Sequence, residues 1–88
     1  MCTAISDTAS IQGAGKGAQG WFPIIQATVA YDHATHSTAE HALLLDFANY
    51  EIGTEARVAL ELDLASGRAL LEQLRSTIEA VEARGLGE

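Results

Sequence analysis

The sequence predicts an α+β domain in which a four-stranded antiparallel meander is followed by one C-terminal helix that packs on one face of the sheet. Two periodicities support this fold. Before residue 63, apolar residues alternate along three segments, as they do in half-buried strands. From residue 64 they recur at intervals of three and four, as in a helix. With 88 residues, the chain has room for a single domain, residues 1–88.

The four predicted strands differ in how strongly the sequence specifies them. Residues 3–12 are mostly small, polar or β-branched, which suits a weakly specified edge strand. Alternation is clear along residues 24–32, 41–47 and 55–62. The segment 41–47 is apolar on both sides, so we expect it to be covered on both faces. The short connections favour hairpins and predict a β-β-β-β-α two-layer sandwich.

Residues 13–20 contain four glycines and are interpreted as a flexible surface loop. The glycines are similar to those of a phosphate-binding loop, but that motif requires a helix after the loop. Here Trp21, Phe22 and a strand follow, so we exclude it. A flap over a pocket is the alternative to a plain loop.

The helix is predicted over residues 64–84. Asp63 is suited to the N-cap and Gly85 to the C-terminal stop. Gly67 costs about 1 kcal/mol relative to alanine in a helix, and nothing in the sequence explains it. The apolar stripe that we expect to face the sheet consists of Leu71, Leu74, Ile78 and Val81.

Size and pattern together predict self-association. A chain of this length buries roughly 60–65% of its unfolded surface, which gives modest stability. Because the third strand is apolar on both sides, we expect a second copy to cover the outer face of the sheet, as a homodimer or higher homo-oligomer. The alternative is a monomer whose outer face is solvated.

Charge and cysteine content exclude several classes of partner and environment. The net charge is −7, and the five basic residues are scattered, so nucleic acid and anionic membranes are not expected partners. A single cysteine excludes an intrachain disulfide and suits a reducing compartment. We find no signal-peptide pattern and no apolar run of about 20 residues, and therefore expect a soluble, cytoplasmic protein.

All three histidines of the chain lie between residues 33 and 41. If the predicted second and third strands form a hairpin, the alternation places His33 directly opposite His41 and Tyr31 opposite Leu43. The two imidazoles would then lie side by side at one end of the sheet, with His36 in the loop able to fold over them.

Three converging imidazoles would suit a divalent transition metal, with zinc first and copper or iron as alternatives. The spacing is not an established metal signature, and parity places Asp32 and Glu40 on the other side of the sheet. A metal-free site in which the histidines act as acid or base, and a solvated loop without a site, remain the alternatives. We identify no nucleophile–base arrangement, so the sequence predicts no reaction.

A second candidate site is an apolar ligand pocket formed by Trp21 and Phe22 together with Tyr31 and Cys2. Trp21 and Phe22 would alternatively contact a partner or close the end of a small core. Cys2 would otherwise be a fourth, thiolate metal ligand or an ordinary terminal thiol.

Several segments together resemble a family of small bacterial proteins of unknown function. These segments are the Met-Cys-Thr start, the stretch from Lys16 to Pro23 and the D-H-x2-H-x3-E-H stretch from Asp32 to His41. The resemblance covers nearly the whole chain and implies that Trp21 and the three histidines are family features. It implies no activity. Our main functional expectation is divalent-metal binding at His33, His36 and His41, and the sequence leaves open whether that metal would be catalytic or structural. The alternative is a metal-free homo-oligomeric module that binds a small apolar ligand or a partner protein.

Overall fold

The computed structural model describes residues 5–34, 36 and 40–87. Four antiparallel strands lie side by side in chain order and one helix follows, so the predicted α+β meander is confirmed. None of the helical structure described is both long and apolar enough to cross a membrane. The elements are β1 (Ile5–Gly17), β2 (Gly20–His33), β3 (His41–Ala48), β4 (Arg57–Leu62) and α1 (Leu64–Ala83).

The glycine-rich segment is part of a strand, and its interpretation as a flexible loop is wrong. β1 continues to Gly17 after a β-bulge between Ser10 and Gly13, and β2 already begins at Gly20. A Cβ on Gly15 would lie 2.7 Å from Ile24 Cδ1 and 3.4 Å from Val58 Cγ2. Glycine at this position therefore lets the end of β1 approach β2 and β4 closely. A glycine within a strand often marks such a close approach of two backbones, and the prediction of a loop did not take this into account.

β2 and β3 pair in the predicted register, with His33 opposite His41 and Tyr31 opposite Leu43. Since opposed residues of antiparallel strands point to the same side, the register defines two faces of the sheet. We call the face with the alternating large apolar residues the apolar face, and the opposite face the reverse face. The apolar face carries Ala27, Val29, Tyr31 and His33 of β2, His41, Leu43, Leu45 and Phe47 of β3, and Val58, Leu60 and Leu62 of β4.

The helix begins and ends where the sequence predicts. The Asp63 carboxylate accepts a hydrogen bond from the Ser66 backbone N–H at 2.7 Å, which makes Asp63 the N-cap. Gly85 has a φ of +67°, and the Leu86 N–H donates to the Val81 carbonyl at 3.0 Å, which forms a Schellman-type end. The unexplained Gly67 has a structural reason, because a Cβ there would overlap Leu43 Cδ1. Glycine allows the first turns of α1 to lie against β3.

Beyond this contact, the chain encloses very little of its own apolar surface. The buried hydrophobic residues among those described are Ala42, Ala48 and Ala56, and no large side chain is fully buried there. On α1, Leu71, Leu74 and Ile78 are 55%, 54% and 53% exposed. The Cα radius of gyration is 14.8 Å, whereas a compact domain of this length has about 12 Å. The sheet and the helix are thus only partly covered by each other.

Candidate functional site

His33 and His41 form a side-by-side pair of imidazoles at one end of the apolar face. Their ring centroids lie 4.5 Å apart with an interplanar angle of 32°. The Tyr31 ring stacks on His41 with a centroid separation of 5.7 Å and an angle of 20°. The opposition of the two histidines is therefore confirmed, and Tyr31 supports the His41 ring from within the sheet.

The local sequence explains why these rings meet. β2 ends at His33 and β3 begins at His41, so the two histidines are the last residue pair of the hairpin. The Ala34 N–H donates to the Glu40 carbonyl at 3.2 Å and continues the pairing one step into the loop. His41 is half-buried and His33 is exposed, so the pair can be reached from solvent.

His36 lies with Glu61 instead of folding over the other two histidines. Its backbone N–H donates to Glu61 Oε1 at 2.8 Å, and its Nδ1 is 3.2 Å from Glu61 Oε2. Glu61 pairs with Leu44 across β3 and β4, which places its side chain on the reverse face. The structure brings two of the three histidines together on one face and holds the third at the other.

The donor set around the pair is consequently small. Among residues 5–34, 36 and 40–87, no group of three or more histidine, cysteine, aspartate or glutamate side chains is arranged to hold a metal ion. A tetrahedral zinc ion with ligand distances of about 2.0–2.1 Å would hold two imidazole centroids about 5 Å apart. The rings of His33 and His41, at 4.5 Å, are close to that separation. Within one chain, the pair can supply two of the ligands of a metal ion.

The residues of the predicted apolar pocket lie at different ends of the sheet. Trp21 and Phe22, near the start of β2, line an open cleft of about 440 Å³ with Ile52 and the connection between β3 and β4. Tyr31 lies beside the histidine pair, about 33 Å further along the strand at 3.3 Å per residue. Cys2 lies outside the described residues. The cleft is thus formed by Trp21 and Phe22 without Tyr31.

The reverse face carries charged groups that pair with one another across β3 and β4. Asp46 Oδ1 accepts a hydrogen bond from Arg57 Nε at 3.1 Å, and Asp46 Oδ2 accepts one from the Tyr50 hydroxyl at 3.1 Å. The Asp46 carboxylate raises the pKa of the Arg57 guanidinium through this bond. The sequence carries a signal for this pairing, since Asp46 is the one charged residue among the reverse-face positions of β3 and Arg57 lies on the polar side of the alternation in β4.

Comparison with known proteins places the chain in a family. The model of a family of unknown function, DUF6295, matches residues 1–87. The chain belongs to DUF6295. The expected membership in a small family of unknown function is confirmed over nearly the whole sequence. Neither a curated protein nor a solved structure matches this DUF6295 chain significantly.

Proposed function

We propose that this DUF6295 protein functions as a homodimeric module in which two copies cover each other's apolar face and helix stripe. The observation that carries the proposal is the surface that one chain leaves exposed. Its solvent-accessible area is 6717 Å², whereas a folded monomer of this mass exposes about 5,000 Å². The excess is about 1,700 Å² per chain.

This excess of exposed area is similar to the area that each subunit buries when a dimer forms. Stable protein–protein interfaces of standard size bury about 800 Å² per partner, and obligate homodimers bury about 1,000–2,500 Å² per partner. A symmetric dimer uses the same patch on both subunits, so one apolar surface is enough. A second copy of this chain is therefore the partner that the exposed area supports.

The exposed apolar groups lie where one partner can reach all of them. Gly67 and the stripe of Leu71, Leu74 and Ile78 share one side of α1, and Gly67 touches Leu43 of the apolar face. On the sheet, Val29 and Leu60 remain 44% and 42% exposed on the same face. The helix stripe and the apolar face are therefore parts of one surface that a second copy can fill.

The net charge of −7 on each chain opposes association, so the attraction must come from apolar burial. It also argues against nucleic acid as a partner. We place this function in a reducing compartment such as the cytoplasm, because a single cysteine leaves no intrachain disulfide to form.

Sedimentation equilibrium of the full chain tests the proposal, and we expect the mass of a dimer at micromolar concentration. Leu74→Glu should weaken the dimer about 100-fold, since burial of one leucine in each copy contributes about 3 kcal/mol together. Leucine and glutamate have similar helix propensities, so the helix itself should persist.

Gln73→Glu is the matched control, because it adds the same charge at the neighbouring exposed position on another side of α1. It should leave the dimer intact. A wild-type chain that is monomeric at every concentration would contradict the proposal and would leave the apolar surface to a different partner protein.

A second candidate function is the binding of a divalent transition metal, zinc above all, with copper or iron as alternatives. The 4.5 Å separation of the His33 and His41 rings favours it. Elemental analysis of protein purified without an affinity tag tests it. We expect metal in the wild type and its loss in a His33→Ala/His41→Ala variant, and metal retained in that variant would refute this assignment.

A further inference from the structure

We propose that one divalent transition-metal ion is shared between two copies of the chain, with His33 and His41 of each copy as its four ligands. Metal binding would then stabilise the dimer. This inference rests on the proposed homodimer and adds to it the chemistry that joins the two histidine pairs.

The His33–His41 pair of one chain provides two of the four nitrogen ligands of a structural zinc site. A structural zinc site has four ligands, and zinc accepts imidazole nitrogen readily. The described part of one chain offers no set of three or more suitable side chains, and His36 is held at Glu61 on the reverse face. Two copies of the His33–His41 pair supply four nitrogens, which completes a tetrahedral set without His36.

The position of the pair in the sheet favours a metal ion shared between two copies. His33 and His41 belong to the apolar face, the surface that the proposed dimer buries, and they form its last residue pair at one end. In β4, Leu62 lies opposite Leu43, so α1 starts level with His41 at this same end. A two-fold axis that pairs the apolar faces near the start of α1 brings the two histidine pairs together.

A contact within one chain holds the His41 ring in place before any metal binds. The Tyr31 ring stacked on His41 limits how far that imidazole turns, so little side-chain freedom is lost when the metal binds. The ring centroids within each pair are 4.5 Å apart. This distance needs to increase only slightly to reach the separation of about 5 Å expected for two imidazoles on a tetrahedral zinc ion.

The test uses untagged full-length protein freed of metal and titrated with zinc. We expect one zinc ion per two chains by elemental analysis, and a dimer that tightens in sedimentation. At a free zinc concentration about 100 times its Kd, the dimer dissociation constant should fall about 100-fold. Cobalt(II) in place of zinc should give the absorption of a tetrahedral four-nitrogen site.

The histidine variants separate this arrangement from a site made of all three histidines. His33→Ala and His41→Ala should each abolish the effect of zinc on dimerisation, whereas His36→Ala should leave it unchanged. His33→Gln is a milder variant at an exposed position, so the test does not depend on the folding of the alanine variants.

One zinc ion per chain, a dimer indifferent to zinc, or an equal loss in His36→Ala would overturn the inference while leaving the homodimer in place. A chain that stays monomeric with and without zinc would overturn both the inference and the proposed function.

Discussion

At the scale of single residues, Gly15 shows how a residue without a side chain allows two strands of a sheet to pack closely. Its nearest neighbours, Ile24 and Val58, come from two other strands. A sequence containing four glycines within eight residues is typical of a loop, because the same residue type serves turns and close approaches alike. The partners at close range are distant in sequence, so the sequence could not tell the two uses apart.

Gly15→Ala should destabilise the fold by about 1–3 kcal/mol, because its Cβ would be forced between Ile24 and Val58. Thermal or urea unfolding measures this. Gly13→Ala is the matched control in the same strand, since a Cβ at Gly13 has nothing within 4 Å. Equal stability of the two variants would mean that β1 does not approach β4 as described.

The histidines illustrate what register can and cannot predict. The opposition of His33 and His41 follows from alternation alone, because one register puts both apolar sets on the same face. The position of His36 depends on Glu61, a residue 25 positions away with which it shares two contacts. Alternation within a hairpin carries no information on such a long-range pair.

At the scale of elements, the sequence predicted the bounds of α1 better than the way in which α1 packs on the sheet. Its period and the cap residues Asp63 and Gly85 gave both ends correctly. A helical period shows which side is apolar, but it does not name what covers that side. The close contact at Gly67 with Leu43, and the exposure of Leu71 and Leu74 beyond it, therefore required the structure.

The helix N-cap predicts a dependence of stability on pH. The hydrogen bond from the Ser66 N–H lowers the pKa of Asp63 below its ordinary value of 3.8. Because the pKa of Asp63 is lower in the folded chain than in the unfolded chain, its ionised carboxylate stabilises the fold at pH values above the unfolded-state pKa. This contribution to the free energy of unfolding is lost as the pH falls through the folded-state pKa. Asp63→Asn keeps a capping side chain that does not titrate.

The wild type should therefore be more stable than Asp63→Asn near neutral pH, and this difference should vanish in acid. Urea unfolding of both proteins followed by circular dichroism, at pH values well above and well below 3.8, measures it. A difference that is the same at both pH values would show that the Asp63 carboxylate contributes nothing as a charged cap.

At the scale of the whole molecule, the exposed area predicts that unfolding is coupled to dissociation. For a dimer of two 88-residue chains, an unfolding enthalpy of about 0.7 kcal/mol per residue gives a rise in Tm of about 4 °C for each tenfold increase in concentration. Calorimetry at several concentrations measures the shift. A Tm that is independent of concentration would indicate that one chain folds stably alone.

The bulge in β1 bears on how copies of this chain can meet. β1 is an edge strand of the sheet, and the backbone groups along its outer edge are a row on which a foreign strand could assemble into a fibril. The bulge between Ser10 and Gly13 interrupts the regular spacing of that row, and a bulge also bends the strand that carries it. This edge of the sheet is thereby a poor template for open-ended stacking, while the apolar face stays available for the proposed dimer.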